Sequence, residues 1–227
     1  MITSNVIHRT FYLSSGDSFG TCFTIDVDGR EYVITAKHVV EHLADFSGIS
    51  IFHDAQWKPF GCTLVGFCES GSDIAVLSAN TLLSPRHSMP PTSAGIVYGQ
   101  DVYFLGFPYG WSADVKNLNR GFPLPFVKKA IVSNMPQKEG GKSFFYLDGH
   151  NNPGFSGGPV VFKCQGTNEF HVAAIISGYR YTEEPIFQDS TTVPLVYRYN
   201  TGIILAYDIS HAIAVINKNP IGRPFTE

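Results

Sequence analysis

Short apolar runs, rich in β-branched and aromatic residues, recur along the chain with turn residues between them. These runs predict β-strands at residues 21–27, 31–35, 49–52, 74–77, 101–105, 126–133, 144–147, 159–162, 172–177 and 202–207. Asp28-Gly29, between the first two runs, predicts a tight β-hairpin. Many short strands at this spacing are typical of an all-β sandwich or barrel.

Two segments depart from this pattern. Residues 80–94 combine prolines with serines and threonines, which predicts a connector between two packed halves. Near the carboxyl end, Asp208 or Ser210 can cap a helix whose apolar positions, from 209 to 216, share one face. We therefore expect a boundary near residues 80–95 and one terminal amphipathic helix.

The composition supports a folded β protein. Of the 227 residues, 44% are hydrophobic and 15% are charged, which is enough apolar sequence to bury a core. The 22 glycines and 14 prolines suit strands joined by turns better than a helical bundle. A net charge of −3 provides no positive field for nucleic acid or anionic lipid, so we expect neither as a partner.

Targeting signals are missing from the sequence. No uncharged apolar run reaches the roughly 18 residues of a membrane span, and the amino-terminal residues do not resemble a secretory signal. These features predict no membrane span and a cytoplasmic location. The four cysteines form no CxxC pair, which favours idle thiols over disulfides.

The sharpest candidate for chemistry is Ser156, in the segment Asn-Pro-Gly-Phe-Ser-Gly-Gly-Pro at residues 152–159. Glycine permits backbone conformations in which amide groups converge on one point, as an oxyanion hole requires. The amides of Gly154 and Ser156 would supply those donors. The alternative is an ordinary glycine-rich turn that contains a serine, and this segment alone leaves that alternative open.

A nucleophilic serine needs a base and a group that orients the base. His38 follows an apolar run, and Asp73 stands at the entrance of another. Most such aspartates only start a strand, which is the alternative for Asp73. The chain order His38, Asp73, Ser156 nevertheless matches one of the known orders of the serine, histidine and aspartate triad.

These residues, together with further segments, resemble the chymotrypsin-fold serine peptidases, and among them the bacterial trypsin-like peptidases related to the HtrA/Deg proteases. The similar segments follow one another along most of the chain, at residues 20–25, 34–40, 72–77, 106–110, 129–133, 148–159 and 202–207. The resemblance implies a single all-β domain over residues 1–227. Its parts are two six-stranded antiparallel β-barrels, at 1–85 and 95–209, and a C-terminal α-helix at 210–218.

The resemblance also implies a function, that of a serine endopeptidase acting on proteins or peptides. His38 would be the general base, Asp73 would orient it, and Ser156 would be the nucleophile. The amides of Gly154 and Ser156 would form the oxyanion hole. No cofactor or metal is implied, and the oligomeric state stays open.

Three departures from the family pattern qualify this interpretation. Phe155 occupies the position where digestive members carry an aspartate that pairs with a newly cut amino terminus, so activation of that kind is not expected. The residues after Ser156 are too few for a PDZ domain beside the last strand and helix. No cysteine neighbours His38, so the disulfide of the histidine loop is missing.

The sequence says less about substrate specificity than about catalysis. By alignment with the family, Ile176, Ser177 and Gly178 should pair with an extended substrate, and His150 should lie near the floor of the specificity pocket. No carboxylate occupies that position, so a requirement for Arg or Lys is not supported. A histidine that simply faces water is the alternative for His150. Residues 180–200 are long for a connector. They either overhang the substrate-binding cleft or form an insertion on the surface.

Two other functions compete with the peptidase. His38-Val-Val-Glu41-His42 fits H-x-x-E-H, a zinc-peptidase signature, but the motif requires a long helix and a third ligand that the sequence does not supply. The second alternative is a binding module in which a triad is present but its cleft is covered or its oxyanion loop is collapsed. Reaction with a serine-directed phosphonate separates these functions.

Overall fold

A computed structural model of the chain describes residues 1–43, 46–135 and 141–225. In this part of the chain most of the regular structure is β, arranged in two sheets with one short helix near the carboxyl end. The predicted fold class is therefore confirmed, because this arrangement is that of the chymotrypsin fold. The predicted Asp28-Gly29 turn is also present, with φ angles of 49° and 75° that match a two-residue hairpin turn.

The N-terminal sheet follows a short helix, α1 (Ser4–Ile7). Its strands are β1 (Thr10–Ser15), β2 (Ser18–Val27), β3 (Arg30–Thr35), β4 (Ile49–His53), β5 (Gln56–Pro59), β6 (Cys62–Phe67) and β7 (Ala75–Ala79). Helix α2 (Lys37–Val40) comes directly after β3, and a 3₁₀ turn (Phe46–Gly48) precedes β4. The strand order is β5-β4-β1-β2-β3-β7-β6, so the described residues supply more strands here than the six that the resemblance implied.

The C-terminal sheet is a closed six-stranded barrel, as expected. It contains β8 (Asp101–Gly106), β9 (Phe126–Asn134), β10 (Phe144–Asp148), β11 (Pro159–Lys163), β12 (Phe170–Gln188) and β13 (Thr191–Asp208), in the order β10-β13-β12-β11-β8-β9. Two 3₁₀ turns (Pro108–Gly110 and Lys116–Asn119) lie between β8 and β9. Helix α3 (Ser210–Lys218) follows the barrel, and β14 (Arg223–Pro224) pairs with β3, which ties the end of the chain to the N-terminal sheet.

Residues 180–200, which the sequence marked as long for a connector, form regular structure. Strands β12 and β13 continue past the barrel as a two-stranded ribbon, which we call the arm. Asp189 and Ser190 form its turn, with φ angles of 46° and 64°, and Gln188 pairs with Thr191. The arm lacks the alternation of buried and exposed residues by which strands are usually recognised.

The core consists of three apolar clusters. One fills the N-terminal sheet, one fills the C-terminal barrel, and the third joins both sheets to α3. This third cluster holds the two halves together, so groups at the ends of their strands keep fixed relative positions. No helix in the described residues has both the length and the apolar character needed to cross a membrane.

Candidate active site

The N-terminal half brings His38 and Asp73 into contact. The buried strand β3 delivers His38 to the first turn of α2, and Asp73 stands just before β7, which pairs with β3. His38 Nδ1 lies 2.6 Å from Asp73 Oδ2, and the backbone N–H of His38 donates to Oδ1 at 2.9 Å. The carboxylate thus fixes both the ring and the backbone of the histidine, and it leaves Nε2 as the nitrogen free to act.

The contact also changes how both groups titrate. The hydrogen bond to Asp73 raises the pKa of His38 above its usual value, against the opposing effect of burial. Burial would raise the pKa of Asp73, but the hydrogen bonds from His38 and Ser177 outweigh it and leave the pKa lowered. Asp73 is therefore a stable carboxylate at neutral pH.

Ser177 connects this pair to Ser156. The Ser177 hydroxyl donates to Asp73 Oδ2 at 2.6 Å, and the Ser156 hydroxyl donates to the Ser177 carbonyl at 3.2 Å. Ser177 therefore contacts Asp73 through its hydroxyl and Ser156 through its backbone carbonyl. Within the described residues the Ser156 hydroxyl makes this bond and none to His38.

The turn that carries Ser156 has no room for side chains at its glycines. Gly154 and Gly157 have φ angles of 103° and 83°, which residues with side chains rarely adopt. A Cβ at Gly154 would meet the Phe107 carbonyl oxygen at 2.2 Å, and one at Gly157 would meet that of Thr21 at 2.1 Å. Only glycine fits either position, as the sequence predicted for a nucleophile turn.

Backbone hydrogen bonds hold the turn to both halves of the protein. The Thr21 N–H of β2 donates to the Ser156 carbonyl at 2.8 Å, and the Gly157 N–H donates to the Ile176 carbonyl at 2.7 Å. In the described part of the chain, the N–H groups of Gly154 and Ser156 have no hydrogen-bond acceptor. Two donors are therefore left for a group that comes from outside the chain.

Phe155 anchors the same turn in the barrel. It is fully buried, and its ring packs edge-to-face on Phe104 with centroids 4.9 Å apart. Burying a phenylalanine side chain is worth about 1.5–3 kcal/mol. Hydrophobic packing thus fixes the turn at the position where digestive relatives use the ion pair of an aspartate.

Lys128 braces the loop before the turn, and sequence reasoning missed it. Its Nζ donates to the His150 carbonyl at 2.7 Å and to Asn152 Oδ1 at 2.5 Å, and it lies 5.4 Å from the centre of the Phe155 ring. Burial lowers the pKa of Lys128. The one signal in the sequence was the pair of adjacent lysines in a predicted strand. Neighbouring side chains of a strand point to opposite faces, so an outward-facing Lys129 places Lys128 on the inner face.

The predicted substrate-binding residues are placed in different surroundings. Ile176 is fully buried, its N–H donates to the Gly158 carbonyl, and its carbonyl accepts from Gly157. We therefore assign Ile176 to the core and keep Ser177 and Gly178 as candidates, since a Cβ at Gly178 would meet nothing within 4 Å. His150 is exposed, which fits either a pocket residue or a histidine in water.

The residues of the H-x-x-E-H motif do not converge. Helix α2 ends at Val40, and His42 Nε2 lies 3.0 Å from the Ser15 carbonyl. Glu41 pairs with Lys37 at 3.3 Å, while His38 is engaged by Asp73. No cluster of three or more potential metal ligands occurs among the described residues. The geometry therefore does not favour the zinc alternative.

Comparisons with solved structures agree on the fold. The Rv3671c protease in an inactive form has a TM-score of 0.59 and 19% identity, with 95% of this chain and 91% of that chain covered. An inactive serine-to-alanine mutant of Rv3671c from M. tuberculosis H37Rv also has a TM-score of 0.59, with 17% identity over 97% and 91%. The HtrA-type protease AlgW, with a tripeptide, has a TM-score of 0.59 and 22% identity over 95% and 61%.

Comparisons of sequence identify the family. No individually curated protein matches the chain significantly. The profile of the trypsin-like peptidase domain, however, matches residues 20–167, which is more than half of the chain. The match includes His38, Asp73 and Ser156. In the described residues that follow, the rest of the barrel, α3 and β14 leave no PDZ domain. The chain therefore belongs to the trypsin-like peptidase family, whose substrates are proteins or peptides.

Proposed function

We propose that the protein is a serine endopeptidase that cleaves peptide bonds through an acyl-enzyme. Ser156 is the nucleophile, His38 is the general base, and Asp73 holds His38 in the required tautomer. The enzyme is a single domain over residues 1–227, and its site lies between the halves at 1–85 and 95–209. The observation that carries the proposal is the 2.6 Å hydrogen bond between His38 and Asp73, together with a Ser156 turn on which the N–H groups of Gly154 and Ser156 have no acceptor among the described residues.

The first step forms the tetrahedral intermediate. The Ser156 hydroxyl turns from the Ser177 carbonyl to Nε2 of His38, which takes its proton as the oxygen attacks the substrate carbonyl carbon. The carbonyl oxygen becomes an oxyanion, which the free N–H groups of Gly154 and Ser156 stabilise. The negative charge of Asp73 stabilises the imidazolium.

The remaining steps release the two products. The protonated His38 gives its proton to the leaving amine as the peptide C–N bond breaks, which leaves an ester on Ser156. Water then attacks the ester with His38 again as base, and collapse of the second intermediate returns the proton to Ser156. No step requires a metal or a cofactor, since both proton acceptor and oxyanion donors come from the chain.

The substrate is expected to bind in an extended conformation beside Ser177 and Gly178. The open space above Gly178 leaves room for a peptide backbone and its side chains. No carboxylate stands at the position of His150, so a requirement for Arg or Lys before the cut is not expected.

The test is cleavage of a library of unstructured peptides, with the products identified by mass spectrometry. We expect cuts at internal peptide bonds, unchanged by a metal chelator. Ser156→Ala should lower kcat by about 10⁴-fold or more, because the oxyanion donors and binding alone remain. Ser88→Ala, at an exposed serine, is the control and should keep the full rate. Cleavage at the wild-type rate by Ser156→Ala would refute the proposal.

A second candidate function is supported by one observation. The Ser156 hydroxyl is bonded to the Ser177 carbonyl rather than to His38, so the nucleophile is not aligned until it rotates. A protein that stays in this arrangement would bind peptides without cleaving them. Peptide binding by the wild-type protein, with no product after long incubation, would favour this binding module over the peptidase.

A further inference from the structure

One face of the N-terminal sheet carries a band of aromatic side chains that belongs to none of the three core clusters. Strands β2, β1, β4 and β5 are neighbours in this sheet, and residues paired across them share a face. Each strand contributes one ring, with centroids 4.7–6.2 Å apart, and the members of this aromatic band are Phe19, Tyr12, Phe52 and Trp57. Phe19 is 50% exposed and Trp57 is also exposed, so the band reaches solvent.

The segment that follows β8 packs on this band and adds further rings. Phe107 stacks on Tyr12 with centroids 5.0 Å apart, and a Cβ at Gly110 would lie 2.7 Å from the Tyr12 hydroxyl. Gly110 is flanked by Tyr109 and Trp111, which are 60% and 64% exposed and whose rings lie 5.8 Å apart. Exposed rings from both halves of the protein therefore meet around Tyr12, and an apolar surface of this kind marks a site of interaction.

The aromatic surface is continuous with the Ser156 turn. The Thr21 N–H donates to the Ser156 carbonyl, and the Thr21 hydroxyl donates to the Gly154 carbonyl at 2.8 Å and accepts from the Phe107 N–H at 3.3 Å. Phe19 lies two residues before Thr21 in β2, so it is on the same face of the strand and about 7 Å along it. The surface therefore begins beside the backbone that carries the two proposed oxyanion donors.

Tyr109 is held against the loop before Ser156 by two hydrogen bonds. Its N–H donates to the Pro153 carbonyl at 2.9 Å, and its hydroxyl accepts from Asn152 Nδ2 at 3.3 Å. Its φ angle of 53° lies in the left-handed region, which is unfavourable for a residue with a side chain. Backbone strain of this kind clusters at sites that bind ligands. The chain thus keeps an exposed ring at a position where glycine would relieve the strain.

The geometry of an extended substrate decides which of its residues reaches this surface. In the proposed function the segment before the cut lies beside Ser177 and Gly178, in the C-terminal barrel. Strand β2 contacts Ser156 from the N-terminal half, so a peptide that crosses the turn continues towards Phe19. Two residues of extended chain span about 7 Å, which is the separation of Thr21 and Phe19 along β2. The second residue after the cut is therefore the one that meets Phe19.

We propose that the aromatic surface binds the substrate segment after the cut and selects an aromatic or large apolar side chain at the second residue of that segment, an inference that rests on the proposed function. The rings of Phe19, Trp57, Tyr109 and Trp111 carry no charge, and such rings pack favourably on other aromatic groups. A charged side chain would lose hydration there without gaining an ionic partner from these rings. The leaving segment thus contributes to specificity, beside the residues before the cut.

The first test measures kcat/KM for internally quenched peptides that differ only in the second residue after the cut. The wild type should prefer Phe over Ala there by about tenfold or more, which is the order of discrimination that a hydrophobic site provides. Phe19→Ala should reduce this preference to below about threefold. Phe187→Ala, at an exposed phenylalanine of the arm, is the matched control and should preserve it. Equal cleavage of both peptides by the wild type, or a preference that survives in Phe19→Ala, would overturn the proposal.

Labelling with a fluorophosphonate separates a failure of this inference from a failure of the proposed function, because the probe has no residue after the cut. A protein that is labelled at Ser156 but shows no preference at the second residue refutes the aromatic subsite alone. A protein that is neither labelled nor active on any peptide refutes the peptidase, and the subsite with it.

Tryptophan fluorescence tests the location of the subsite. The two tryptophans of the chain, Trp57 and Trp111, both belong to the aromatic surface, so their emission reports what binds there. In Ser156→Ala, a peptide that the wild type cleaves should quench this emission when 4-iodophenylalanine is its second residue after the cut, because the iodine atom quenches at contact distance. The same peptide with 4-iodophenylalanine placed before the cut should quench much less. Equal quenching by the two peptides, or none up to about 1 mM peptide, would overturn the proposal.

Discussion

The Ser156 turn and the arm are parts of the same barrel, yet their packing is opposite. Around Ser156, glycines leave no space for a Cβ, Phe155 is fully buried, and backbone groups bond to both halves. The arm exposes most of its apolar side chains to solvent. The chain therefore packs tightly around Ser156 and leaves the apolar side chains of the arm in contact with solvent.

One set of contacts joins the two regions. Asn200, at the base of the arm, donates from Nδ2 to the Asn151 carbonyl at 2.7 Å and accepts from the Gly202 N–H at 2.9 Å. Asn151 belongs to the loop that leads into the Ser156 turn. The position of the arm and the shape of that loop are thus linked through the amide side chain of Asn200.

The largest effect is expected from Asp73→Asn, which keeps the shape of the side chain but removes its charge. The substitution should lower kcat by about 10⁴-fold, because His38 loses the partner that fixes its tautomer. Stopped or continuous peptide-cleavage assays measure the loss. Tm should change little, since the rigid turn around Ser156 does not depend on the charge. A loss of less than tenfold would contradict the role of Asp73.

The same pair predicts the pH dependence of the wild type. His38 acts as base in its neutral form, and Asp73 raises its pKa, so kcat/KM should fall as the pH drops through a value above 6.5. In Asp73→Asn the residual activity should fall at a lower pH, because the hydrogen bond that raises the pKa is gone. A rate that is flat from pH 5 to 8 would contradict the assignment of His38.

Two phenylalanines test the contrast in packing directly. Phe155→Ala should lower the free energy of unfolding by about 3–5 kcal/mol, because it empties a filled site in the barrel core. Phe187→Ala, in the arm, should change it by less than about 0.5 kcal/mol. Urea unfolding at low protein concentration measures both. Equal effects would show that the two regions do not differ as described.

Two glycines separate backbone strain from crowding. Gly157→Ala combines a positive φ with a clash against the Thr21 carbonyl, so we expect a loss of about 2–4 kcal/mol in stability. Gly166 also has a positive φ, 95°, but a Cβ there would meet nothing within 4 Å. Gly166→Ala should therefore cost only about 1 kcal/mol. Thermal unfolding of both variants distinguishes the two contributions.

The smallest effect on activity is expected from Lys128→Met. Removing the ammonium releases the His150 carbonyl and Asn152 from their shared donor, and we expect about a tenfold lower kcat/KM. Lys129→Met is the matched control, because the neighbouring lysine is exposed and pairs with Asp101 at 2.7 Å. A tenfold loss in both variants, or in neither, would contradict the bracing role of Lys128.

How much the sequence predicted depends on whether a residue's role is local. The Asp28-Gly29 hairpin, the terminal helix and the glycines around Ser156 follow from short-range backbone preferences, and all are present. β5 was missed because it is short and mostly exposed, and β6 because Gly66 and a register shift interrupt its pattern. The arm escaped recognition because neither of its faces packs on the core.

The roles of Lys128 and Ile176 could not be read from the sequence, since each depends on which segment folds against it. Lys128 faces inward and donates to the carbonyl of His150 in the loop above it. The N–H and the carbonyl of Ile176 are both hydrogen-bonded to the Ser156 turn. Alignment with the family placed Ile176 near the substrate, but it does not reveal which backbone groups are already occupied. Such contacts between distant segments are fixed by the tertiary structure.

The central claim is that Ser156 is a nucleophile activated by His38. The most direct test is labelling with a fluorophosphonate probe, followed by identification of the modified residue by mass spectrometry. We expect the wild-type protein to be labelled at Ser156, with labelling lost in Ser156→Ala, strongly reduced in His38→Ala, and unchanged by a zinc chelator. A wild-type protein that stays unlabelled, or a Ser156→Ala protein labelled as fast as the wild type, would contradict the account.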